Sequence, residues 1–262
     1  MKGDTLIMLF KMFANKEYAY RLVDKCYKDE ASKFDKHNVS VDSLKHMFDI
    51  RYTDETSIYK GKKCIIIGSG GSVLDNERGF EIDKFDIIVR NNLARHEGLE
   101  KYVGSRTDIR FMSHKSFGNK LLISEYSSYD ENYIPKSKKH HLIIRSAGNV
   151  GSMIPGFARN INNNHIFSIL DIKYNIFLDR LVNDFDNWIP QKNTCTVGFS
   201  AIHTMMDLGC DVYIYGMDFY NKSKAFHYWE DCSTNVMCTE HSIDREKLYI
   251  DNLIKEEKIK KF

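Results

Sequence analysis

Proline is scarce in this 262-residue chain, with three residues in all, and no stretch is of low complexity or repeated. The elements therefore follow one another with little punctuation. Six cysteines are present, Cys26, Cys64, Cys195, Cys210, Cys232 and Cys238, but no two have the Cys-x-x-Cys spacing of a zinc site. No metal is assigned to them. Two readings stay open: reduced, mostly buried thiols, or one or two disulfides in an oxidising compartment. Long hydrophobic runs are missing as well. The most apolar N-terminal segment, Leu6 to Ala14, is broken by Lys11 and falls well short of the ~20 residues a membrane span requires. Neither a spanning helix nor a signal peptide is read from it, so on these grounds the chain is expected in the cytoplasm, or in a secretory lumen if an N-terminal anchor has been removed. Charge of one sign is missing too, the formal net charge being +2. The one basic cluster, Lys255, Lys258, Lys260 and Lys261, reads as a solvated helix end, and a nucleic-acid partner is not expected.

What the chain does have is 42% hydrophobic and 28% charged residues, enough to bury a full core. Residues 1–57 carry helical periodicity, in Leu6, Leu9, Phe10 and Phe13, in Tyr18, Leu22 and Cys26, and in Val41, Leu44, Met47 and Phe48. They are read as a helical N-terminal extension to a single domain over 58–262. From Lys63 strand and helix alternate. Strands are expected at Cys64–Ile67, Ile87–Arg90, Asp108–Met112, His141–Arg145, Ile166–Leu170 and Val212–Tyr215; helices are expected at Met153–Ile161, Tyr174–Phe185 and Gly198–Leu208. The alternation predicts an α/β fold with a doubly wound, mainly parallel, Rossmann-like sheet. Residues 127–140 are expected to form an exposed loop. Ligands of such sheets sit beyond the carboxyl ends of the strands, where Gly68, Arg90–Asn92 and Gly216–Tyr220 all fall.

The first strand runs into Gly68-Ser69-Gly70-Gly71, whose glycines would permit positive φ and a close backbone approach to phosphate. A dinucleotide site of the Gly-x-Gly-x-x-Gly type is disfavoured. Val73 stands in place of the third glycine, and the next strand ends in Arg90 and Asn92 instead of an acidic residue for a ribose. Arg90 and Asn92, two apart, would share a face and donate to a ligand, or Arg90 pairs with Asp83 or Asp86. Thr196-Val197-Gly198 opens a helix whose positive end suits an anion, or Thr196 simply caps it. His227-Tyr228-Trp229-Glu230 mixes polar tips with aromatic bodies, and His241 precedes the last helix.

Taken in order, these blocks resemble the four sialylmotifs of the eukaryotic-type sialyltransferases. The large motif is similar to Cys64 through about Asp108, the small motif to Cys195–Gly216, motif III to His227–Glu230, and the very small His-x4-Glu motif to His241 and Glu246. The resemblance spans roughly 61–250 and implies a variant GT-A-type fold. It also implies inverting, metal-independent transfer of sialic acid from CMP-sialic acid to a glycan hydroxyl, the donor being a substrate and no cofactor being required. On the same resemblance Gly68, Ser69, Gly70, Gly71, Asn92, Thr196, Val197, Gly198, Gly216 and Tyr220 bind the donor. His227 supports the phosphate, His241 is the base, and Cys64 pairs with Cys210. The sequence departs from the family at Ser69, where an asparagine is usual, at Val197, where a hydroxyl is usual, and at Cys210, displaced by one. Two alternatives follow, a CMP-Kdo donor and a nucleotide- or glycan-binding protein without turnover.

Overall fold

The computed structural model describes residues 12–36, 39–55, 57–118, 139–145, 153–160, 164–183, 194–219, 227–228 and 241–262. In chain order they form α1 (Lys16–Lys36), α2 (Val41–Arg51), β1 (Lys63–Ile67), α3 (Gly79–Ile82), β2 (Ile87–Asn91), α4 (Glu100–Val103), β3 (Ile109–Ser113) and α5 (His114–Gly118). There follow β4 (His141–Arg145), α6 (Ile154–Asn160), β5 (Ile166–Leu170), α7 (Ile172–Asn183), α8 (Val197–Asp207), β6 (Asp211–Tyr215), α9 (Ile243–Lys255) and β7 (Lys260–Lys261). Every strand expected from the sequence is present to within one residue at either end. The chain divides into two compact units, residues 1–55 with 110–175, and residues 56–109 with 176–262.

In the second unit the strand order is β2-β1-β6-β7, and the pairings β1 with β2, β1 with β6 and β6 with β7 are all parallel. Cys64, Ile65, Ile66 and Ile67 of β1 are completely buried, as a central parallel strand covered on both faces requires. One face carries Ile65, Ile67 and Ile88, packed with Val73, Ile82, Val103, Tyr215 and Tyr228. The opposite face is covered by α8, which touches β1, β2 and β6. Each isoleucine so buried contributes about 1.5–3 kcal/mol.

The lysine-rich end is not a helix end. After α9 the chain turns and Lys260–Lys261 add β7 to the edge of β6, because Ile259 is buried and Phe262 packs edge-on against Phe85 and Tyr215. A two-residue edge strand bearing exposed lysines is poorly suited to recruiting another chain.

In the first unit β4 and β5 pair in parallel, His141 opposite Ile166, in the order β5-β4-β3. The helices expected before residue 57 are seen as α1 and α2, while Leu6, Leu9 and Phe10 lie outside the described residues. Phe13 is not helical. It bridges Leu170, the Ala14 N–H donates to the Ile169 carbonyl and the Thr53 N–H to the Phe167 carbonyl, so the N-terminal segment occupies hydrogen-bonding positions along β5. Phe48 of α2 meets Phe157 edge-on, and Phe157 in turn meets Phe117 and Phe167. Of the expected exposed loop, residues 127–138 lie outside the described residues, and His140 at its end is buried.

Buried histidines make this fold sensitive to acid. His203 on α8 lies between Phe199 and Tyr249, with no hydrogen-bond partner on either ring nitrogen; burial, with Lys258 adding to it, pushes it down to about 4. Burial likewise takes His141 to about 4. Since an unfolded histidine titrates near ~6.5, the unfolded chain binds more protons between these values. The stabilisation is complete above the unfolded pKa and is lost as pH falls toward 4. At pH 5 the loss is about 2 kcal/mol for a histidine so placed. Melting temperature should therefore fall between pH 7.5 and pH 5, and His203→Phe should fall less steeply; parallel slopes in thermal melts of the two proteins would contradict this.

Candidate active site

The hydrogen bonding between β1 and β6 continues beyond both strands. The Gly68 N–H donates to the Tyr215 carbonyl at 2.7 Å and the Gly70 N–H to the Gly216 carbonyl at 3.0 Å. A side chain at Gly68 would collide with the Gly216 carbonyl, one at Gly70 with the Asp218 carboxylate, and one at Gly216, which has φ +69°, with Val73. None of Gly68, Gly70 and Gly71 has positive φ. Contrary to the expectation from the sequence, Gly68 and Gly70 are required by the approach of a second loop and not by their own torsions. Gly71 opens a turn of 3-10 helix over Gly71–Asp75. Asp218 accepts from the Ser72 N–H at 2.8 Å and from the Ser72 hydroxyl.

The segment carrying His227 docks on the same loop. The Tyr228 N–H donates to the Ser69 carbonyl at 2.8 Å, and its hydroxyl donates to the Arg95 carbonyl. Half-buried His227 is thereby held next to the glycine loop. Tyr220, Trp229 and Glu230 lie outside the described residues. At the end of β2, Asn92 has φ +47° and has left the pleat, so it does not share a face with Arg90. Arg90 is fully buried and donates to the Thr107 hydroxyl at 2.9 Å and to the Val103, Gly104 and Arg106 carbonyls. It is a structural bolt. Its expected partners are engaged elsewhere, Asp83 with Ser105 and Asp86 with the Lys63 N–H.

A second cluster forms around the N-terminus of α8. Thr196 is the N-cap, its hydroxyl oxygen accepting from the Phe199 N–H at 3.0 Å. The same hydroxyl donates to Glu246, and so does the Thr196 N–H, each at 2.6 Å. Glu246 is 2% exposed. It is therefore a buried carboxylate at the positive end of a helix, where charge is favoured. The Val197 and Gly198 N–H groups, in the first turn, have no intrahelical acceptor by helix geometry. Val197 turns its side chain into the core, so what it can offer a ligand is its backbone. Asp179 of α7 accepts from the Cys195 N–H at 2.8 Å, and Asn183 accepts from the Ser242 hydroxyl and, through its backbone, from Arg245. The sequence reading missed these last two supports. Their only signal was polar residues spaced four apart on a helix, which is too common to single out.

His241 pairs with Thr194 in a β-bridge, and its Nδ1 lies 2.8 Å from the Thr194 carbonyl oxygen. A carbonyl only accepts, so Nδ1 carries the proton and, in the neutral ring, Nε2 carries the lone pair. The two clusters meet at Gly198: a Cβ there would lie 3.6 Å from Asn91 Nδ2 and 3.6 Å from Met217 Sδ. Glycine loop, β2 end, α8 N-terminus and His241 thus belong to one unit. Among the described residues no group of three His, Cys, Asp or Glu side chains is placed to hold a metal.

Cys64 and Cys210 are not joined; both are free thiols. They are neighbours nonetheless. Burial, with Cys210 beside it, pushes the Cys64 thiol up, while hydrogen bonding from Cys64 brings Cys210 down.

The Glu246 contacts make a quantitative demand. Two charge-assisted hydrogen bonds from a buried site contribute on the order of 3 kcal/mol. Glu246→Ala should lower unfolding free energy by about that amount in urea titration, and Glu246→Gln by about half. Equal stability of all three proteins would show that the clamp contributes nothing.

Known proteins resemble this chain over most of its length. The CMP-N-acetylneuraminate-beta-1,4-galactoside alpha-2,3-sialyltransferase of Homo sapiens is 25% identical over 223 residues, covering 78% of this chain and 58% of the relative. The type 2 lactosamine alpha-2,3-sialyltransferase of Rattus norvegicus is 26% identical over 216 residues, 76% of this chain and 63% of the relative. The chain thus spans about three-fifths of the length of these relatives. A mammalian sialyltransferase crystallised with Gal-beta-1-3GalNAc-ortho-nitrophenol shares the fold, with a TM-score of 0.60, 16% identity, and coverage of 97% of this chain and 90% of that one. The sialyltransferases matched are Golgi-type and lumenal, which overturns the cytoplasmic expectation. The missing hydrophobic run was its only support, and a chain that aligns with part of its relatives carries no information on what precedes it. Residues 13–258 match the profile of glycosyltransferase family 29, the sialyltransferases, and the chain belongs to that family.

Proposed function

We propose that this chain transfers sialic acid from CMP-sialic acid to a hydroxyl of a glycan, with inversion and without a metal ion. The observation that carries the reading is the fixed His241 ring, tied through Nδ1 to Thr194 two residues before the N-terminus of α8. Nε2 takes the proton of the acceptor hydroxyl as its oxygen attacks the anomeric carbon. The bond from that carbon to the phosphate oxygen breaks, and its electron pair leaves with CMP. Charge gathering on the phosphate is met by His227, Tyr220 and the Gly68–Gly71 loop. The Val197 and Gly198 N–H groups suit an anionic group of the donor. Ser69 and Asn92 complete the nucleotide end. The departures from the family favour turnover more than its loss, since Val197 acts through its backbone and Ser69 already uses its carbonyl to seat the His227 segment.

Titration with CMP, followed by transfer from CMP-sialic acid and CMP-Kdo to a β-galactoside of the kind named for the relatives, tests this reading. CMP binding with transfer from CMP-sialic acid is expected. Binding without transfer from either donor would leave a silent nucleotide-binding protein, and transfer from CMP-Kdo alone would replace the donor.

The two histidines should separate kinetically. His241→Ala should lower kcat by roughly 10²–10⁴-fold with CMP affinity nearly unchanged. His227→Ala should weaken CMP binding as well, by about 1.5–3 kcal/mol for a hydrogen bond to a charged group. Transfer by the wild type should rise with pH through the histidine range and lose that limb in His241→Ala. An active His241→Ala enzyme with the wild-type profile would move the base elsewhere.

We propose further that Cys64 and Cys210 pair in the oxidising lumen. Cys210, the more acidic thiol, is the group suited to attack during exchange. Thiol counting on denatured protein prepared without reductant should then find two fewer thiols than the six cysteines of the sequence, and a Cys210→Ser variant should show one fewer partner for oxidation. Six free thiols in the wild type would rule the bridge out.

A further inference from the structure

Asn91, the last residue of β2, carries a buried carboxamide beside the N-terminus of α8. It alternates with Arg90 along the strand, so the two side chains leave opposite faces of the sheet. Arg90 goes to the Val103–Thr107 segment. Asn91 goes toward α8, where its Nδ2 lies 3.6 Å from the place a Gly198 Cβ would take. Asn91 is 9% exposed, and its Oδ1 has no hydrogen-bond partner. Burying a carbonyl oxygen without a donor is costly, and a chain that retains such a group needs something to meet it.

Three features locate that something. A Cβ at Gly198 would stand at van der Waals distance from the Asn91 carboxamide, at 3.6 Å, and from Met217 Sδ at 3.6 Å and Cε at 3.7 Å, so the Asn91 side chain lies directly against the first turn of α8. The Val197 and Gly198 N–H groups open the first turn of α8, an 11-residue helix whose positive end favours an anion. The place is also beyond the carboxyl ends of neighbouring parallel strands β1 and β2, where nucleotides bind in sheets of this kind. Oδ1 only accepts, so the phosphate and the carboxylate of the donor cannot satisfy it. Its partner must bring a proton, and the groups of CMP that do so are the ribose hydroxyls and the cytosine amino group.

We propose that Asn91 is a further donor-reading residue, whose Oδ1 accepts a hydrogen bond from a hydroxyl or amino group of the nucleotide while the N-terminus of α8 takes the anion. The assignment rests on the donor reading above. It also accounts for an otherwise unexplained buried polar side chain.

Calorimetric titration of the wild type, Asn91→Leu and Asn91→Ala with CMP, 2′-deoxy-CMP, 3′-deoxy-CMP and UMP tests it, with thermal melts of all three proteins. Both variants are expected to bind CMP about tenfold more weakly than the wild type, as loss of one net hydrogen bond implies. Asn91→Leu should melt no lower than the wild type, because it replaces an unpartnered carboxamide with hydrocarbon of similar volume. For one analogue, the one lacking the group that meets Oδ1, wild type and variants should bind equally, and which analogue that is identifies ribose or base. Equal CMP affinity in all three proteins overturns the proposal, and so does a loss of the same size for every analogue, which would mark Asn91 as structural. A wild type that binds no CMP would instead remove the donor reading itself, and this inference with it.

Discussion

The approach of the Gly68 and Gly216 backbones is the constraint on which the site depends. Two parallel strands normally diverge once their ladder ends, each leading into its own connection. In this chain the ladder runs on, through Gly68 to Tyr215 and Gly70 to Gly216, only because no side chain stands between the two loops. The positions that follow inherit this registration. Ser72 finds Asp218, Ser69 presents its carbonyl to Tyr228, and His227 is carried in beside them. A glycine-rich turn of this kind is usually explained by the phosphate it is to hold. Here protein against protein already accounts for Gly68 and Gly70, so their presence needs no phosphate to explain it.

The second organising contact is electrostatic. α8 presents a positive end close to the carboxyl edge of the sheet, and the chain meets part of it with its own carboxylate, Glu246, from a helix that begins 47 residues after Thr196 caps α8. The Thr196 N–H and hydroxyl belong to Glu246, and the next two N–H groups have no intrahelical acceptor. Because Ser242 and Arg245 are tied to Asn183 and His241 to Thr194, the same contacts that stabilise α9 against α8 also fix the imidazole. Stability of the packing and orientation of the His241 ring rest on one set of hydrogen bonds.

Much of this was legible from the residues. The β-branched runs at Ile65–Ile67 and Ile87–Val89, and the alternation of strand and helix, demanded a parallel sheet because each strand is apolar on both faces and each helix has one face to bury. Four short blocks in order carried the family. What local pattern did not carry was the cause of each polar residue. Arg90 looked equally like a ligand donor and a structural arginine, and only the fold placed four acceptors around it. The lysines of the C-terminus read as a solvated helix end, whereas the burial of Ile259 and Phe262 against the sheet made the last residues a strand.

By itself the sequence determined the order and kind of the elements and the membership of the family, because hydrophobic period and motif spacing are local properties of the chain. Tertiary structure alone decided why Gly68 and Gly70 must be glycine, which face Asn91 takes, and that Glu246 closes on Thr196 fifty residues away. Those are contacts between segments far apart in the chain, and a one-dimensional pattern holds no record of which polar atoms will be left without a partner once distant segments have packed.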